Sequence, residues 1–207
     1  VCYDTTMEKQ TYIFIGASGC GKGTQVKLLM DYIQKKDPGT PIFYLQTGQY
    51  FREFIKQDNL AARIAKGEVD RGERAPDFLA MHLWSEVFVN NLTGGEHLII
   101  DGSPRSKNEA RNLDIALKFF QRESPAVVYI KVHREWSFNH LMDRASKEGR
   151  HDDTSDGINR RLDWFDRDVK PAIELYRRDR DYDFVEINGE QTVEEVHRDI
   201  IANLFGE

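Results

Sequence analysis

The sequence is poor in cysteine and contains no long apolar segment. Only Cys2 and Cys20 occur among its 207 residues, which gives neither a disulfide framework nor a zinc-ligand spacing. No segment approaches the roughly 18 consecutive apolar residues of a membrane helix. Residues 1–10 also lack an apolar stretch like that of a signal peptide. We therefore expect a cytoplasmic protein that does not act at a membrane.

The chain also lacks an excess of positive charge. It has 29 Lys and Arg residues against 35 Asp and Glu residues, a net charge of −6. This balance gives no general attraction to nucleic acid, so we expect none as a partner. Hydrophobic residues make up 40% and charged residues 31% of the chain, which is typical of a globular protein. The length suits one domain with small insertions, and we expect a monomer.

A glycine-rich segment follows the first apolar run of the chain. Residues 16–24 read Gly-Ala-Ser-Gly-Cys-Gly-Lys-Gly-Thr, directly after Tyr-Ile-Phe-Ile. Such a turn between a buried strand and a helix leaves convergent backbone N–H groups for a phosphate, which the helix dipole also favours. The alternative is a turn that only joins strand and helix. The flanking strand and helix favour a phosphate-binding loop, with Lys22 on the outer phosphates and Thr24 near Mg²⁺.

Short apolar runs alternate with segments of helical periodicity. The runs occupy residues 12–15, 42–45, 98–100, 127–132 and 184–187. This alternation predicts an α/β fold, in which helices cover both faces of a parallel sheet. Ligands of such sheets bind beyond the carboxyl ends of the strands. Three polar segments follow the first three runs, so we expect them to converge on one rim: residues 16–23, 47–48 and 101–105.

Two polar segments interrupt the alternation. Residues 48–77 are polar with helical spacing, and residues 145–157 carry almost no apolar side chain. Segments this polar are ordinarily solvated loops. The functional interpretation of residues 145–157 is a cover that closes over bound phosphate.

Four motifs, in this order, resemble those of the adenylate kinase family of nucleoside monophosphate kinases. The loop resembles G-x-P-G-x-G-K-G-T, in which the hydroxyl residue falls at Thr24 and a glycine stands at Gly23. The other three matches are Thr47-Gly48 with Arg52 to T-G-D-x-x-R, residues 101–105 to D-G-[FY]-P-R, and residues 150–153 with Arg161-Leu162 to R-x-D-D…R-L. The order and approximate spacing hold from about residue 11 to 206.

The resemblance implies a P-loop nucleoside triphosphate hydrolase-like fold with a five-stranded parallel sheet covered by helices on both faces. It divides the single domain into a core (about 11–47, 78–144 and 158–206), a monophosphate-binding insertion (about 48–77) and a lid (about 145–157). The lid matches the family's short form, without the zinc ligands of the long form, so we expect no structural zinc. The implied reaction is reversible phosphoryl transfer from ATP to AMP, giving two ADP.

Phosphoryl transfer of this kind requires positioned cations rather than a protein nucleophile. The planar guanidinium of arginine suits phosphate oxygens, although an arginine on a polar helix is more often solvated. The resemblance assigns Arg52 and Arg105 to the acceptor phosphate. The catalytic set is Lys22, Arg105, Arg144, Arg150 and Arg161. The ATP-binding set is Gly19, Cys20, Gly21, Lys22, Gly23, Thr24 and His140, and the monophosphate-binding set is Thr47, Gly48, Arg52, Arg105 and Glu109.

Carboxylates receive two further roles from the resemblance. Asp101, together with Thr24, is expected to hold Mg²⁺, with a water molecule between the carboxylate and the ion. Asp152 and Asp153 either stabilise the closed lid by hydrogen bonds or are ordinary solvated carboxylates.

Three positions depart from the family pattern. Gln49 replaces an aspartate, and His140 replaces an arginine that stacks on the donor base. Glu109 stands where adenylate kinases have glutamine and UMP/CMP kinases asparagine. An ionised carboxylate only accepts hydrogen bonds, which suits guanine better than adenine unless Glu109 is protonated or Asn108 takes over.

These departures leave the acceptor open. We expect AMP to be the best acceptor, with a raised KM, and Glu109→Gln to lower that KM. The alternatives are a kinase for GMP, UMP or CMP, and a catalytically silent nucleotide-binding module. The presence of Lys22, Asp101 and the arginine set argues against the silent module.

Overall fold

A computed structural model describes residues 8–148 and 154–207 of the chain. Its five strands form one parallel sheet in the order β2-β3-β1-β4-β5. The strands are β1 (Thr11–Ile15), β2 (Ile42–Gln46), β3 (His97–Asp101), β4 (Ala126–Lys131) and β5 (Asp183–Asn188). Each strand matches one of the five apolar runs, with ends that differ by at most one residue. The predicted α/β fold with a five-stranded parallel sheet is confirmed.

Nine helices and one π-helical segment occupy the described ranges between and after these strands. The helices are α1 (Lys22–Lys36), α2 (Thr47–Phe54), α3 (Leu60–Asp70), α4 (Asp77–Asn91), α5 (Lys107–Phe119), α6 (Arg134–Glu148), α7 (Ser155–Trp164), α8 (Lys170–Arg178) and α9 (Val193–Phe205). The π-helical segment, Phe165–Val169, joins α7 to α8. Side chains cap several helix starts: Ser106 accepts from the backbone of Glu109, and Thr192 forms a capping box with Glu195.

The core consists of one apolar layer on each face of the sheet. In β1, Ile13 and Ile15 belong to one layer, which also contains residues of α4, α5, α7 and α8. Tyr12 and Phe14 point to the other face and pack with residues of α1 and α9. Because successive residues of a strand face opposite sides, a fully apolar strand such as β1 supplies both layers.

A separate small cluster joins α2, α3 and α4. Phe54 of α2, Ala62 and Ala65 of α3 and Leu79 of α4 are buried against one another, apart from the two main layers. By these helix bounds, the predicted insertion, residues 48–77, contains most of α2 and all of α3.

The predicted lid, residues 145–157, includes the end of α6 and the first turn of α7. Residues 149–153, between the two helices, lie outside the described part of the chain. Within that part, none of the helices is both long and apolar enough to cross a membrane.

Strand register places the signature segments side by side. Asp101, the last residue of β3, is paired with Phe14 of β1 on one side and Gln46 of β2 on the other. The glycine-rich loop starts two residues after Phe14, and Thr47 directly follows Gln46. Three loops from three adjacent strands thus share one edge of the sheet, as predicted for a ligand site.

Candidate active site

The glycine-rich loop has the geometry of an anion-binding turn. Gly19 and Gly21 adopt left-handed backbone conformations, with φ values of 82° and 92°. Gly21 is the N-cap of α1, and no side chain caps this helix start. A Cβ atom at Gly21 or Gly23 would meet nothing within 4 Å. The backbone at these two glycines therefore faces open space. Uncapped N–H groups at a helix start favour a bound anion.

Lys22 brings a positive charge to this turn. Its ammonium group donates hydrogen bonds to the carbonyl oxygens of Gly16 (2.8 Å) and Ala17 (2.9 Å). Cys20 is buried, and its Sγ lies 3.6 Å from Lys22 Nζ. The ammonium group therefore lies inside the loop, against Gly16, Ala17 and Cys20. A phosphate held by the loop would lie next to this charge.

Gly19 also brings the loop against α6. A Cβ atom at Gly19 would lie 2.8 Å from Cγ of Leu141 and 3.2 Å from the carbonyl oxygen of Ser137. Any other residue would be excluded both by this contact and by its positive φ. The helix that carries His140 and Arg144 thus rests on the phosphate loop.

Asp101 offers a carboxylate next to the loop. It is 7% exposed, and the Tyr44 hydroxyl donates to its Oδ2 atom at 3.0 Å. No described residue donates a hydrogen bond to its Oδ1 atom. Burial and the charge of Asp101 raise the pKa of Tyr44 well above its usual value, so the tyrosine stays a donor. Thr24 is exposed on the first turn of α1. A carboxylate oxygen and a hydroxyl fit Mg²⁺, which prefers oxygen ligands and retains several waters.

Arg52 and Arg105 converge on the start of α2. A Cβ atom at Gly48 would lie 3.4 Å from Arg52 Nη1 and 3.8 Å from Arg105 Nη2. The Thr47 hydroxyl donates to the Asp101 carbonyl at 3.1 Å. A Cβ atom at Gly102 would lie 2.9 Å from this hydroxyl oxygen and 3.3 Å from Arg105 Nη2. The structure therefore brings together four of the predicted monophosphate-binding residues.

Arg105 is half-buried at the base of this cluster. Its Nε donates to the carbonyl of Gly102 at 2.6 Å, and its guanidinium carbon lies 5.9 Å from the centre of the Trp164 ring. Burial lowers the pKa of Arg105. A guanidinium oriented in this way is suited to binding an anion through a pair of hydrogen bonds.

A mainly apolar cavity opens beside the two arginines. It is lined by Leu45, Thr47, Tyr50, Phe51, Arg74, Ala75, Ala80, Leu83, Trp84, Ser103 and Arg105. Aromatic and aliphatic walls with a few polar groups are typical of a site for a nucleobase or another flat ligand.

Arg74 is a cavity residue that sequence reasoning missed. It donates to Oδ1 of Asp77 at 2.5 Å and to Oδ2 of Asp168 at 3.3 Å, and its side chain is 16% exposed. No motif contains Arg74, and its second partner is 94 residues away. The only local signal is Asp77, three residues later at the start of α4.

Glu109 does not line this cavity. It is fully buried on the first turn of α5, where it accepts hydrogen bonds from the Ser103 hydroxyl (2.7 Å) and the Arg105 backbone N–H (2.6 Å). The structure thus shows contacts within the loop, whereas the sequence hypothesis placed this carboxylate at the acceptor base. Ser106 and Glu109 form an S-x-x-E pattern, a capping signal that could have indicated this orientation.

Helix α6 carries an aromatic pair. The ring of His140 stacks on the ring of Trp136, with 3.6 Å between ring centres and an angle of 18°. His140 is exposed and Trp136 is half-buried on α6. Trp136 was not singled out from the sequence, although an i, i+4 pair on one helix face is a recognisable signal.

The remaining predicted cations are distributed over α6, α7 and the segment between them. Arg144 lies half-buried on α6, and Arg161 lies half-buried on α7, with its Nε 3.4 Å from the Gly157 carbonyl. Arg150, Asp152 and Asp153 lie outside the described residues. Gln49 is exposed on α2.

Comparison with known proteins places these motifs in one family. The sequence model described as adenylate kinase matches residues 14–181, which include the glycine-rich loop, Arg52, Asp101, Arg105 and Arg161. An adenylate kinase of Nocardioides sp. is 32% identical over 186 residues, covering 89% of this chain and 91% of that protein. Adenylate kinase 1 of Nostoc sp. is 32% identical over 192 residues, covering 93% and 97%.

A third relative is also similar over most of its length. An adenylate kinase of Bacteroides fragilis is 29% identical over 188 residues, covering 91% of this chain and 94% of that protein. The phosphate loop, the two arginines and the carboxylate at the end of β3 lie at one edge of a parallel sheet. The family match spans most of the chain and includes all of these residues. The chain therefore belongs to the adenylate kinase family and is an ATP-dependent nucleoside monophosphate kinase.

Proposed function

We propose that this kinase transfers the γ-phosphoryl group of ATP to AMP, giving two ADP, and that the reaction is reversible. The observation that carries the proposal is the convergence of Arg52 and Arg105 at Gly48, beside an apolar cavity and one strand away from the phosphate loop. An acceptor with a phosphate and a flat base fits the paired cations and the cavity together.

The protein contributes position and charge to this reaction. An oxygen of the acceptor phosphate attacks the γ-phosphorus of ATP in line, so no side chain needs to act as nucleophile. Lys22 and the loop N–H groups would bind the donor phosphates, while Arg52 and Arg105 would bind the acceptor phosphate. Arg144, Arg150 and Arg161 would stabilise the charge on the transferring group.

Mg²⁺ would be held by Thr24 and, through water, by Asp101. Bound there, it would neutralise part of the charge on the donor phosphates. The Tyr44 hydrogen bond fixes one oxygen of Asp101 and leaves the other for a water of the ion's shell.

The helical boundaries support a division into moving parts. We propose that residues 48–77 act as the monophosphate-binding insertion, because α2, α3 and the start of α4 share their own small core. Residues 145–157 would act as the lid and would exclude water from the transferring group.

A specific observation favours GMP as a second candidate acceptor. Arg74 lines the cavity, and its guanidinium has donor hydrogens beyond those bonded to Asp77 and Asp168. Guanine presents the O6 and N7 acceptors that an arginine binds in pairs.

A coupled assay with ATP and each of AMP, GMP, CMP and UMP tests the proposal. We expect the highest kcat/KM with AMP and no consumption of ATP without an acceptor. A preference for GMP would show that GMP rather than AMP is the acceptor, and the proposed mechanism of phosphoryl transfer would still hold. No transfer to any of the four would favour a silent nucleotide-binding module and contradict the proposed function.

A further inference from the structure

The first turn of α5 packs a charged side chain behind the acceptor site. Glu109 is 0% exposed, and each of its carboxylate oxygens accepts a hydrogen bond from the loop that follows β3. Its own backbone N–H donates to the Ser106 hydroxyl at 3.1 Å. A buried carboxylate is costly unless it is bonded, and these contacts meet that requirement.

The two donors to Glu109 are cavity residues. Ser103 and Arg105 both line the acceptor cavity, whereas Glu109 does not. Glu109 holds the backbone N–H of Arg105, and the Gly102 carbonyl holds its side-chain Nε at 2.6 Å. These two hydrogen bonds fix the backbone N–H and the side-chain Nε of Arg105. The Nη2 atom is left facing Gly48.

The charge of Glu109 also favours the charged form of Arg105. Burial lowers the pKa of Arg105, and the neighbouring cations Arg74 and Arg52 lower it further, while the charges of Glu109 and Asp101 oppose them. Glu109 therefore compensates the concentration of positive charge that an acceptor phosphate requires.

We propose that Glu109 is a positioning residue that orients Arg105 toward the acceptor phosphate and does not read the acceptor base. This inference rests on the proposed function, since it assigns Arg105 to the acceptor phosphate. It differs from a base contact in a way that kinetics can measure: a positioning residue affects all monophosphates alike, whereas a base contact affects them selectively.

Two substitutions separate hydrogen bonding from base reading. In Glu109→Gln, the amide oxygen can still accept from the Arg105 N–H, and the amide nitrogen can donate to the Ser103 hydroxyl. Glu109→Met has a similar volume but can accept neither bond. Glu123→Gln changes an exposed carboxylate just after the same helix and serves as the matched control.

The experiment measures KM for ATP and for every monophosphate that the wild type accepts. We expect Glu109→Met to raise the monophosphate KM by about tenfold or more, with the KM for ATP changed less than about twofold. Glu109→Gln should restore the monophosphate KM to within about threefold of wild type, without a change in base preference. Glu123→Gln should match the wild type throughout.

Three results would overturn the inference. These are a lowered KM for AMP in Glu109→Gln, a changed base preference in that variant, or equal rises in both KM values in Glu109→Met. If Glu109→Met does not fold, as judged by thermal unfolding, the Glu109→Gln arm decides alone. A wild type that is inactive with all four monophosphates would instead contradict the proposed function, so the two failures are distinguishable.

Discussion

We predict that phosphate binding depends most directly on the side chain of Lys22. It is half-buried, and among the residues that the structure describes, its ammonium group bonds to atoms of its own loop. A phosphate oxygen is a stronger partner for an ammonium group than a carbonyl oxygen, because both partners are charged. The lysine can therefore exchange carbonyl for phosphate contacts without a change in fold.

We expect Lys22→Met to lower kcat by about 10²- to 10³-fold, as for the loss of one preorganised donor at a transition state. The thermal unfolding midpoint should stay within a few degrees of wild type, because the side chain contributes little to the core. Lys27→Met, at an exposed position of the same helix, is the matched control. Normal activity in a folded Lys22→Met variant would contradict the role of the loop.

His140 presents its ring to solvent while one face rests on Trp136. We predict that the donor base stacks on this pair, since α6 packs against the phosphate loop through Gly19. His140→Ala should then raise the KM for ATP by about fivefold to a hundredfold, the range of one base–aromatic stack, without changing the monophosphate KM. His82→Ala, at an exposed position of α4, is the control. An unchanged KM for ATP would exclude the stack.

The sequence could predict which residues gather at the site, but not how several of them are bonded. Lys22, Arg52 and Asp101 lie in motifs, and strand order brings the motifs together. Tyr44 reaches Asp101 only through the pairing of β2 with β3, a contact over 57 residues that no local pattern encodes. Glu109 had a local capping signal, since it follows Ser106 by three residues. The family resemblance instead predicted a contact between Glu109 and the acceptor base.

At the scale of elements, α2, α3 and the start of α4 share a small core. The cluster of Phe54, Ala62, Ala65 and Leu79 is separate from the layers on the sheet. Elements that share a small core and few contacts with the rest can move together at low cost.

We expect backbone amides of α2 and α3 to exchange more slowly with deuterium when a bisubstrate dinucleoside polyphosphate binds. Binding would bring Arg52 to the acceptor phosphate and order the helix that carries it. α9, which packs on α1 and β5 on the far side of the sheet, should keep its exchange rate and is the internal control. Unchanged exchange in α2 and α3 at saturating inhibitor would contradict a moving insertion.

Element boundaries were predictable where residues are apolar and less so where they are polar. The strand limits differ from the apolar runs by at most one residue. In contrast, α6 continues to Glu148 and α7 begins at Ser155, inside residues 145–157, for which a solvated loop and a closing cover were the two interpretations. Polar residues can extend a helix that tertiary packing already stabilises, and hydrophobic periodicity carries no signal for them.

At the scale of the molecule, Arg74 links three regions. It precedes α4, binds Asp77 at the start of that helix, and binds Asp168 in the π-helical segment. Burial acts to raise the pKa of Asp77, but hydrogen bonds from Arg74 and Ser106 outweigh it and lower the pKa. The pKa of Asp168 is lowered by Arg167 first and by Arg74 as well.

Groups with a depressed folded-state pKa stabilise the fold above their unfolded-state pKa, about 3.9 for aspartate, and lose this effect as pH falls. We therefore expect the free energy of unfolding to decrease as the pH falls below about 5. Arg74→Leu should flatten this decrease, measured by urea denaturation between about pH 3 and pH 7. Arg63→Leu, which removes an exposed ion pair with Asp58, should leave the pH dependence as in wild type. An equal slope in all three proteins would show that Arg74 does not set it.

The position of β1 in the sheet has a consequence for the order of folding. β1 is the first strand along the chain but the middle one in space, and it pairs only with β3 and β4. On the ribosome, it therefore has no neighbour until residues up to Asp101 have emerged, and no second neighbour until β4 follows. Pairing over such sequence separations is slow because the loop-closure entropy must be overcome first. The strand that carries the phosphate loop is thus the first strand made, yet it gains its second neighbour only once β4 has followed.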